Sequence, residues 1–90
     1  MKLSTILTNR RLILKNKLLE EKKLRANLYL NRAIDLYQNH KYTDALLNCN
    51  LSLDLDSTNR EAYRVRGLIW YQLGNIQEAG NDLQQAARLL

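Results

Sequence analysis

The chain has 90 residues, 46% of them apolar, with no proline, three glycines and a formal net charge of +5. This length suits one small domain, and the composition is that of a helix-rich chain, since no β-branched run alternates with polar residues as a strand requires. No uninterrupted apolar run approaches the roughly 20 residues of a membrane-spanning helix. The single cysteine, Cys49, excludes an internal disulfide and offers no zinc-ligand spacing.

The first element is a basic segment, residues 1–25, which we call the basic arm. It carries eight Lys/Arg against two Glu, a net charge of +6, whereas residues 26–90 carry six basic and seven acidic residues, a net charge of −1. Leu3, Leu7, Leu14 and Leu18 recur on one side of a helix, which predicts an amphipathic helix that leads into the next element and packs on it. The candidate binding cations of the arm are Arg10, Arg11, Lys15, Lys17, Lys22, Lys23 and Arg25.

Four interpretations of the basic arm remain open at this point. Its apolar stripe can serve packing or assembly, and a segment without an acidic residue in positions 1–19 is also typical of organelle import. A cationic helix can bind nucleic-acid phosphates, although the arm has no aromatic side chain to stack on bases. It can equally lie on an anionic membrane surface.

After the arm, the chain repeats itself with a period of 34 residues and no gap. The identical pairs are Tyr29 and Tyr63, Arg32 and Arg66, Tyr37 and Tyr71, Gln38 and Gln72, Ala45 and Ala79, and Leu55 and Leu89. The matched positions are mainly small and aromatic residues, and packing between stacked units selects such positions. The sequence therefore predicts two structural units, residues 26–59 and 60–90.

Each unit predicts two helices joined by a short turn. The first unit has helical periodicity over about 26–39 and 42–55, with a break at His40. In the second unit, Thr58 and Glu61 form a capping-box pattern that predicts a helix start near residue 59. Gly74 is expected to end that helix with a positive φ, and Asn75 suits the start of the next one.

One glycine of the second unit has a different predicted role. Glycine inside a helix costs about 1 kcal/mol relative to alanine, so Gly67 needs a compensating reason. Two helices joined by a turn of two or three residues lie antiparallel and close together. We expect Gly67 to face Ala79 and Ala86, where small residues allow the two axes to approach.

These residues resemble the tetratricopeptide repeat family. The resemblance covers about residues 26–90 and departs from the family pattern at His40, Cys49 and Ser57. It implies an all-α fold of antiparallel helix-turn-helix repeats stacked as a short right-handed α-solenoid. The repeat-packing positions it implies are Tyr29, Ala33, Leu36, Ala45, Ser52, Tyr63, Gly67, Trp70, Gly74, Ala79, Leu83 and Ala86. The second unit also resembles repeats of cyanobacterial and plastid proteins, including small photosystem I assembly factors.

The family resemblance further implies that the first helix of each unit lines a concave groove for a peptide or helix of a partner protein. The groove residues would be Asn27, Leu30, Asn31, Ile34, Tyr37, Gln38, Glu61, Arg64, Val65, Leu68, Tyr71 and Gln72. Family members that bind heat-shock chaperone C-terminal tails use a clamp of Lys, Asn and Arg side chains. The corresponding residues here include Leu30, Ile34, Glu61 and Val65, so we do not expect such a tail as the partner.

Several single residues carry smaller expectations. Arg32 and Arg66 could form a ladder of cations for an acidic partner, but we favour the alternative that each pairs with a nearby carboxylate or lies along the helix seam. We expect Trp70 in the core and Tyr71 on the surface. No catalytic set forms around His40, so the sequence predicts no enzyme, cofactor or metal site.

The predicted function is a non-catalytic interaction scaffold, possessing two repeats where about three normally stabilise such a stack. The apolar face around Leu83, Ala87 and Leu90 predicts self-association or an obligate partner. The alternative function is binding of nucleic acid or an anionic membrane surface through the basic arm. The expected location is the cytoplasm or an organelle stroma.

Overall fold

Four helices make up the structure, a computed structural model that describes residues 2–90. They are α1 (Leu3–Gln38), α2 (Tyr42–Leu55), α3 (Arg60–Gln72) and α4 (Ile76–Arg88). α1 packs on α2 and α3 packs on α4, and the two pairs meet mainly where α2 contacts α3. No strand occurs in residues 2–90, so the prediction of an all-α arrangement of paired helices is confirmed.

The two turns that close the pairs have the same hydrogen bonds, one period apart. The Gly74 amide donates to the Tyr71 carbonyl at 3.0 Å and the Asn75 amide to the Trp70 carbonyl at 2.9 Å. In the first unit the amides of residues 40 and 41 make the same two bonds, at 3.0 and 2.8 Å. This is the Schellman ending, which needs a left-handed residue. Gly74 supplies φ 85° as predicted, and His40 adopts φ 61° in the equivalent place.

Asparagine side chains begin both helices of the second unit. The Asn59 side chain accepts hydrogen bonds from the amides of Glu61 and Ala62 at 3.0 and 3.3 Å, and the Asn75 side chain accepts from the Glu78 amide at 3.2 Å. The prediction for Asn75 is therefore confirmed. The capping-box prediction for Thr58 is wrong, because its hydroxyl donates to the Asp56 carboxylate at 2.6 Å and Asn59 caps α3 instead.

Each pair is also tied by a side chain that reaches a backbone carbonyl of the partner helix. The buried Ser52 hydroxyl of α2 donates to the Ala26 carbonyl of α1 at 2.8 Å. In the second unit the Arg60 Nε of α3 donates to the Ala86 carbonyl of α4 at 3.2 Å. Residues 26 and 60, like residues 52 and 86, are one period apart, so the two pairs are joined at equivalent points.

The main core lies between the first pair and α3. Its buried members are Leu30, Ala33, Ala45, Cys49, Leu53, Ala62, Val65 and Ile69. The helix α4 contributes Ala79 and Ala86 to a closer contact with α3, where Gly67 is buried as predicted. The prediction that Trp70 is a core residue is wrong, because its side chain is only half-buried. Leu83 packs beside Gly67 but remains 44% exposed, because no helix among residues 2–90 covers its other side.

The basic arm is continuous with the first helix of the repeat region. α1 runs without a break across residue 25, and the first buried residue along it is Ala26. The prediction that the arm packs on the first repeat is wrong. Leu3, Leu7, Leu14 and Leu18 are between 45% and 71% exposed, because a straight continuation of α1 leads away from α2 and α3. About 35 Å of helix projects from the bundle at 1.5 Å per residue, and the longest dimension of the molecule is 60 Å.

Candidate partner-binding site

A concave cavity of about 220 Å³ lies between the first helices of the two units. α1 and α3 lie side by side here because both pack on α2, and their adjacent faces leave an open hollow. Ile34, Val65 and Leu68 supply its apolar lining. The complete lining is Ile34, Tyr37 and Gln38 from α1, and Glu61, Arg64, Val65 and Leu68 from α3.

The polar lining of the cavity includes an ion pair. Glu61 and Arg64 lie one helical turn apart on α3, and the Arg64 Nε donates to the Glu61 carboxylate at 2.9 Å while a second guanidinium nitrogen binds its other oxygen. The side-chain hydrogen bond from Arg64 lowers the pKa of Glu61, so this carboxylate is charged at neutral pH. Both side chains are more than 40% exposed, which makes the pair weakly stabilising. Its opposite charges leave this part of the cavity without a net charge.

An aromatic cluster lies beside the cavity, in the first unit. The rings of Tyr37 and Tyr42 are 5.6 Å apart between centroids, and His40 Nδ1 is 2.8 Å from the Tyr42 hydroxyl oxygen. Tyr37 lines the cavity, and Tyr42 packs against the core. Contacts from the turn thus restrict Tyr37, so the end of the cavity near the first turn is preorganised.

Seven of the twelve groove residues suggested by sequence surround this cavity, and five do not. Leu30 is a core residue with 5% exposure, which corrects its assignment to the groove surface. Asn27 accepts a hydrogen bond from the Asn59 side chain at 3.3 Å, outside the cavity. Asn31, Tyr71 and Gln72 are exposed and lie outside its lining.

The recurring arginines have different environments. Arg66 forms a bidentate pair with Asp82 of α4, at 2.7 Å from Nε and 2.8 Å from Nη2, and also donates to Asn50 at 3.1 Å. Hydrogen bonding to Asp82 raises the pKa of Arg66. Arg32 is exposed, with its guanidinium carbon 5.6 Å from the Tyr29 ring centroid.

The expected carboxylate partner therefore exists for Arg66, and sequence reasoning did not name it. Asp82 is only 5% exposed, and a lone acidic residue on the small-residue face of α4 was the available signal. Its counterpart one period earlier is Asn48, which donates to the Asp44 carbonyl. The ladder of cations is accordingly not a shared feature of the two units.

Cys49 is fully buried in the core, as expected from the sequence. Desolvation by burial raises the pKa of the Cys49 thiol to about 12. The thiol therefore stays protonated at neutral pH and is shielded from reagents, since the thiolate is the nucleophilic form.

Two searches of residues 2–90 bear on chemistry and membrane insertion. They contain no group of three or more His, Cys, Asp or Glu side chains placed to hold a metal ion. No helix in this part of the chain combines the length and apolar character that crossing a bilayer demands.

The paired helices, their matching turns and their shared cross-links define an all-α protein of the helical repeat class. No protein-family model matches the sequence. The chain is similar to protein unc-45 homolog B of Xenopus laevis, with 30% identity over 73 residues. The match covers 81% of this chain and 8% of that protein, so it concerns a small part of a much longer relative.

Proposed function

We propose that the chain is a non-catalytic interaction scaffold of tetratricopeptide type that binds a peptide or helix of a partner protein. The observation that carries this proposal is the cavity between α1 and α3, to which both units contribute the same kind of first-helix side chain. The 34-residue recurrence of the turns and cross-links supports the repeat type. Similarity to a part of unc-45 homolog B is compatible with it.

The chemistry of the cavity favours a mainly apolar protein segment. At about 220 Å³ it is smaller than the roughly 300–1,000 Å³ of pockets that enclose free small molecules, so it suits an anchoring side chain of a larger ligand. Its charged groups neutralise each other, and it lacks a Lys, Asn and Arg clamp. An acidic heat-shock chaperone tail is therefore not the proposed ligand. With Cys49 buried, we assign no catalytic role and place the interaction in the cytoplasm or an organelle stroma.

Mutation of the cavity gives the direct test. We expect Arg64→Ala/Leu68→Ala to weaken capture of a partner by about tenfold or more, because aliphatic and arginine anchors dominate such interfaces. The measurement is affinity capture from a nuclease-treated native extract, quantified by mass spectrometry, followed by titration of the recovered protein. Leu47→Ala/Leu51→Ala on α2 is the matched control, since both leucines are exposed and outside the cavity. A partner retained equally by both variants would exclude the cavity as its site.

We also propose that the chain self-associates, or binds an obligate partner, through the uncovered side of the second pair. Tyr37 and Tyr42 pack against the core of the first unit. Their counterparts one period later, Tyr71 and Ile76, are 61% and 60% exposed. Exposed apolar residues at positions that the repeat normally buries favour association through this face.

Light scattering tests self-association. The purified chain at tens of micromolar is expected to form dimers or larger assemblies, and Tyr71→Glu/Ile76→Glu is expected to shift them to monomer, because carboxylates would be desolvated in the interface. Leu47→Glu/Leu51→Glu provides a control with equally exposed substitutions elsewhere. A monodisperse wild-type monomer contradicts self-association and leaves the cavity proposal to its own test.

A further inference from the structure

The basic arm exposes an apolar stripe flanked by cations. Leu3, Leu7, Leu14 and Leu18 follow one another at intervals of four, seven and four residues, which keeps them on one side of the helix. Arg10 and Lys17 lie on one flank of this stripe, and Arg11, Lys15 and Lys22 lie on the other. All of these residues are exposed along the described part of the arm. Long cationic side chains beside a leucine stripe can extend to phosphates while the leucines enter an apolar phase.

A hollow of about 340 Å³ lies on the same segment of helix, where the stripe meets its basic flank. Leu18 and Leu19 provide its apolar part, and Lys15, Lys22 and Arg25 provide three cations. Asn16 completes the lining, which contains no carboxylate. An anionic amphiphile matches this combination, because its phosphate can face the cations while its acyl chain contacts the leucines.

The start of α1 adds to the positive potential of the arm. The first turn contains no acidic residue, and Lys2 at the N-cap makes no side-chain hydrogen bond to the helix. The free amides and the macrodipole at this end favour an anion. Arg11 and Lys15 are four residues apart and repel each other on the helix surface. Neutralisation by an anionic surface would remove this repulsion.

The charge distribution also separates the candidate occupants. Two arms from two copies would each bring a net charge of +6 to their contact, and residues 26–90 of a second copy carry only −1. A nucleic acid would satisfy the cations but leave the leucine stripe in water, and the arm has no aromatic side chain for bases. An anionic lipid bilayer satisfies both the cations and the leucines.

We propose that the basic arm binds bilayers containing anionic phospholipids, lying along the headgroup plane with its leucine stripe in contact with the acyl chains. The arm would then attach the chain to a membrane surface, with the helical repeats held beside it. The cations raise the affinity about fivefold each near an anionic surface, and the leucines make the attachment less sensitive to salt than a purely electrostatic one.

Vesicle flotation of the full-length chain tests this proposal. We expect binding to phosphatidylcholine vesicles that contain about 30% phosphatidylglycerol and at least tenfold weaker binding to pure phosphatidylcholine, because the arm relies on anionic headgroups. Leu14→Ser/Leu18→Ser should weaken binding by about tenfold or more, since both leucines are 61% exposed and available for insertion. Arg11→Glu/Lys15→Glu should abolish binding at low salt.

A matched control and a competing polyanion complete the experiment. Leu47→Ser/Leu51→Ser removes two exposed leucines with the same four-residue spacing from α2, and should bind as the wild type does. Equal binding to neutral and anionic vesicles would overturn the proposal, as would full binding by Leu14→Ser/Leu18→Ser. Absence of vesicle binding together with RNA or DNA binding that survives this leucine variant would instead identify a nucleic-acid surface.

Discussion

Substitution of Gly67 by valine is expected to destabilise the chain by about 3 kcal/mol, the upper part of the range for overpacked contacts. A Cβ at Gly67 would lie 3.1 Å from Leu83 Cγ and 3.2 Å from the Ala79 carbonyl oxygen. The Leu83 side chain can rotate away, but the Ala79 oxygen belongs to the backbone of α4 and moves only with that helix. The branched valine side chain is stiff in a helix and adds two methyl groups to the same space. Urea unfolding followed by circular dichroism measures the loss.

Gly80 gives the matched control for this substitution. It lies within α4, is exposed, and a Cβ there would meet no atom within 4 Å. Gly80→Val should therefore stabilise the chain by a few tenths of a kcal/mol through helix propensity alone. Gly67→Ala should be nearly neutral, since a propensity gain of about 1 kcal/mol offsets milder crowding. Similar effects of valine at Gly67 and Gly80 would show that the α3–α4 contact does not require glycine.

Arg66→Leu is expected to lower the free energy of unfolding by about 3 kcal/mol, near the lower end for breaking a buried ion pair. Asp82 is 5% exposed and receives both of its strong hydrogen bonds from Arg66, so the substitution leaves its buried carboxylate without a cation. The Arg66 side chain is itself 25% exposed, which places the cost below that of a fully buried pair. Chemical denaturation at neutral pH measures the difference.

Arg32→Leu, one period earlier, is the control for Arg66→Leu. Arg32 is exposed and lies over Tyr29, and its replacement should change stability by no more than about 0.5 kcal/mol. The double variant Arg66→Leu/Asp82→Asn should recover part of the loss, because a neutral amide costs less to bury than a carboxylate. Equal losses in the single and double variants would mean that the charge of Asp82 is unimportant.

The repeat region was predictable because its determinants are local in the sequence. A period of 34 residues placed the two turns, and the conformational requirement at residue 74 followed from glycine next to an asparagine N-cap. The close contact at Gly67 followed from small residues at helical spacing on both helices. For the candidate site, helical periodicity and family resemblance together suggested seven side chains that line the cavity.

Other features depended on which surfaces meet, and a one-dimensional pattern cannot specify that. Leu30 and Val65 were both placed in the groove, yet Leu30 is buried in the core while Val65 reaches both core and cavity. Trp70 is large and apolar, but it is only half-buried because its burial depends on neighbouring elements and not on its own helix. Thr58 and Asn59 are both good N-cap residues, and the path of the chain after Asp56 selects Asn59.

The amino-acid sequence alone thus specified the helices, the 34-residue period, the turn at Gly74 and the concentration of charge in the basic arm, because each of these arises from residues close together in the chain. The fold was needed to pair Arg66 with Asp82, which lie on different helices, and to form the cavity from α1 and α3. It was also needed to show that the leucines of the basic arm face solvent. An amphipathic pattern states that one side of a helix seeks an apolar contact, and only the arrangement of the helices determines whether the same chain supplies it.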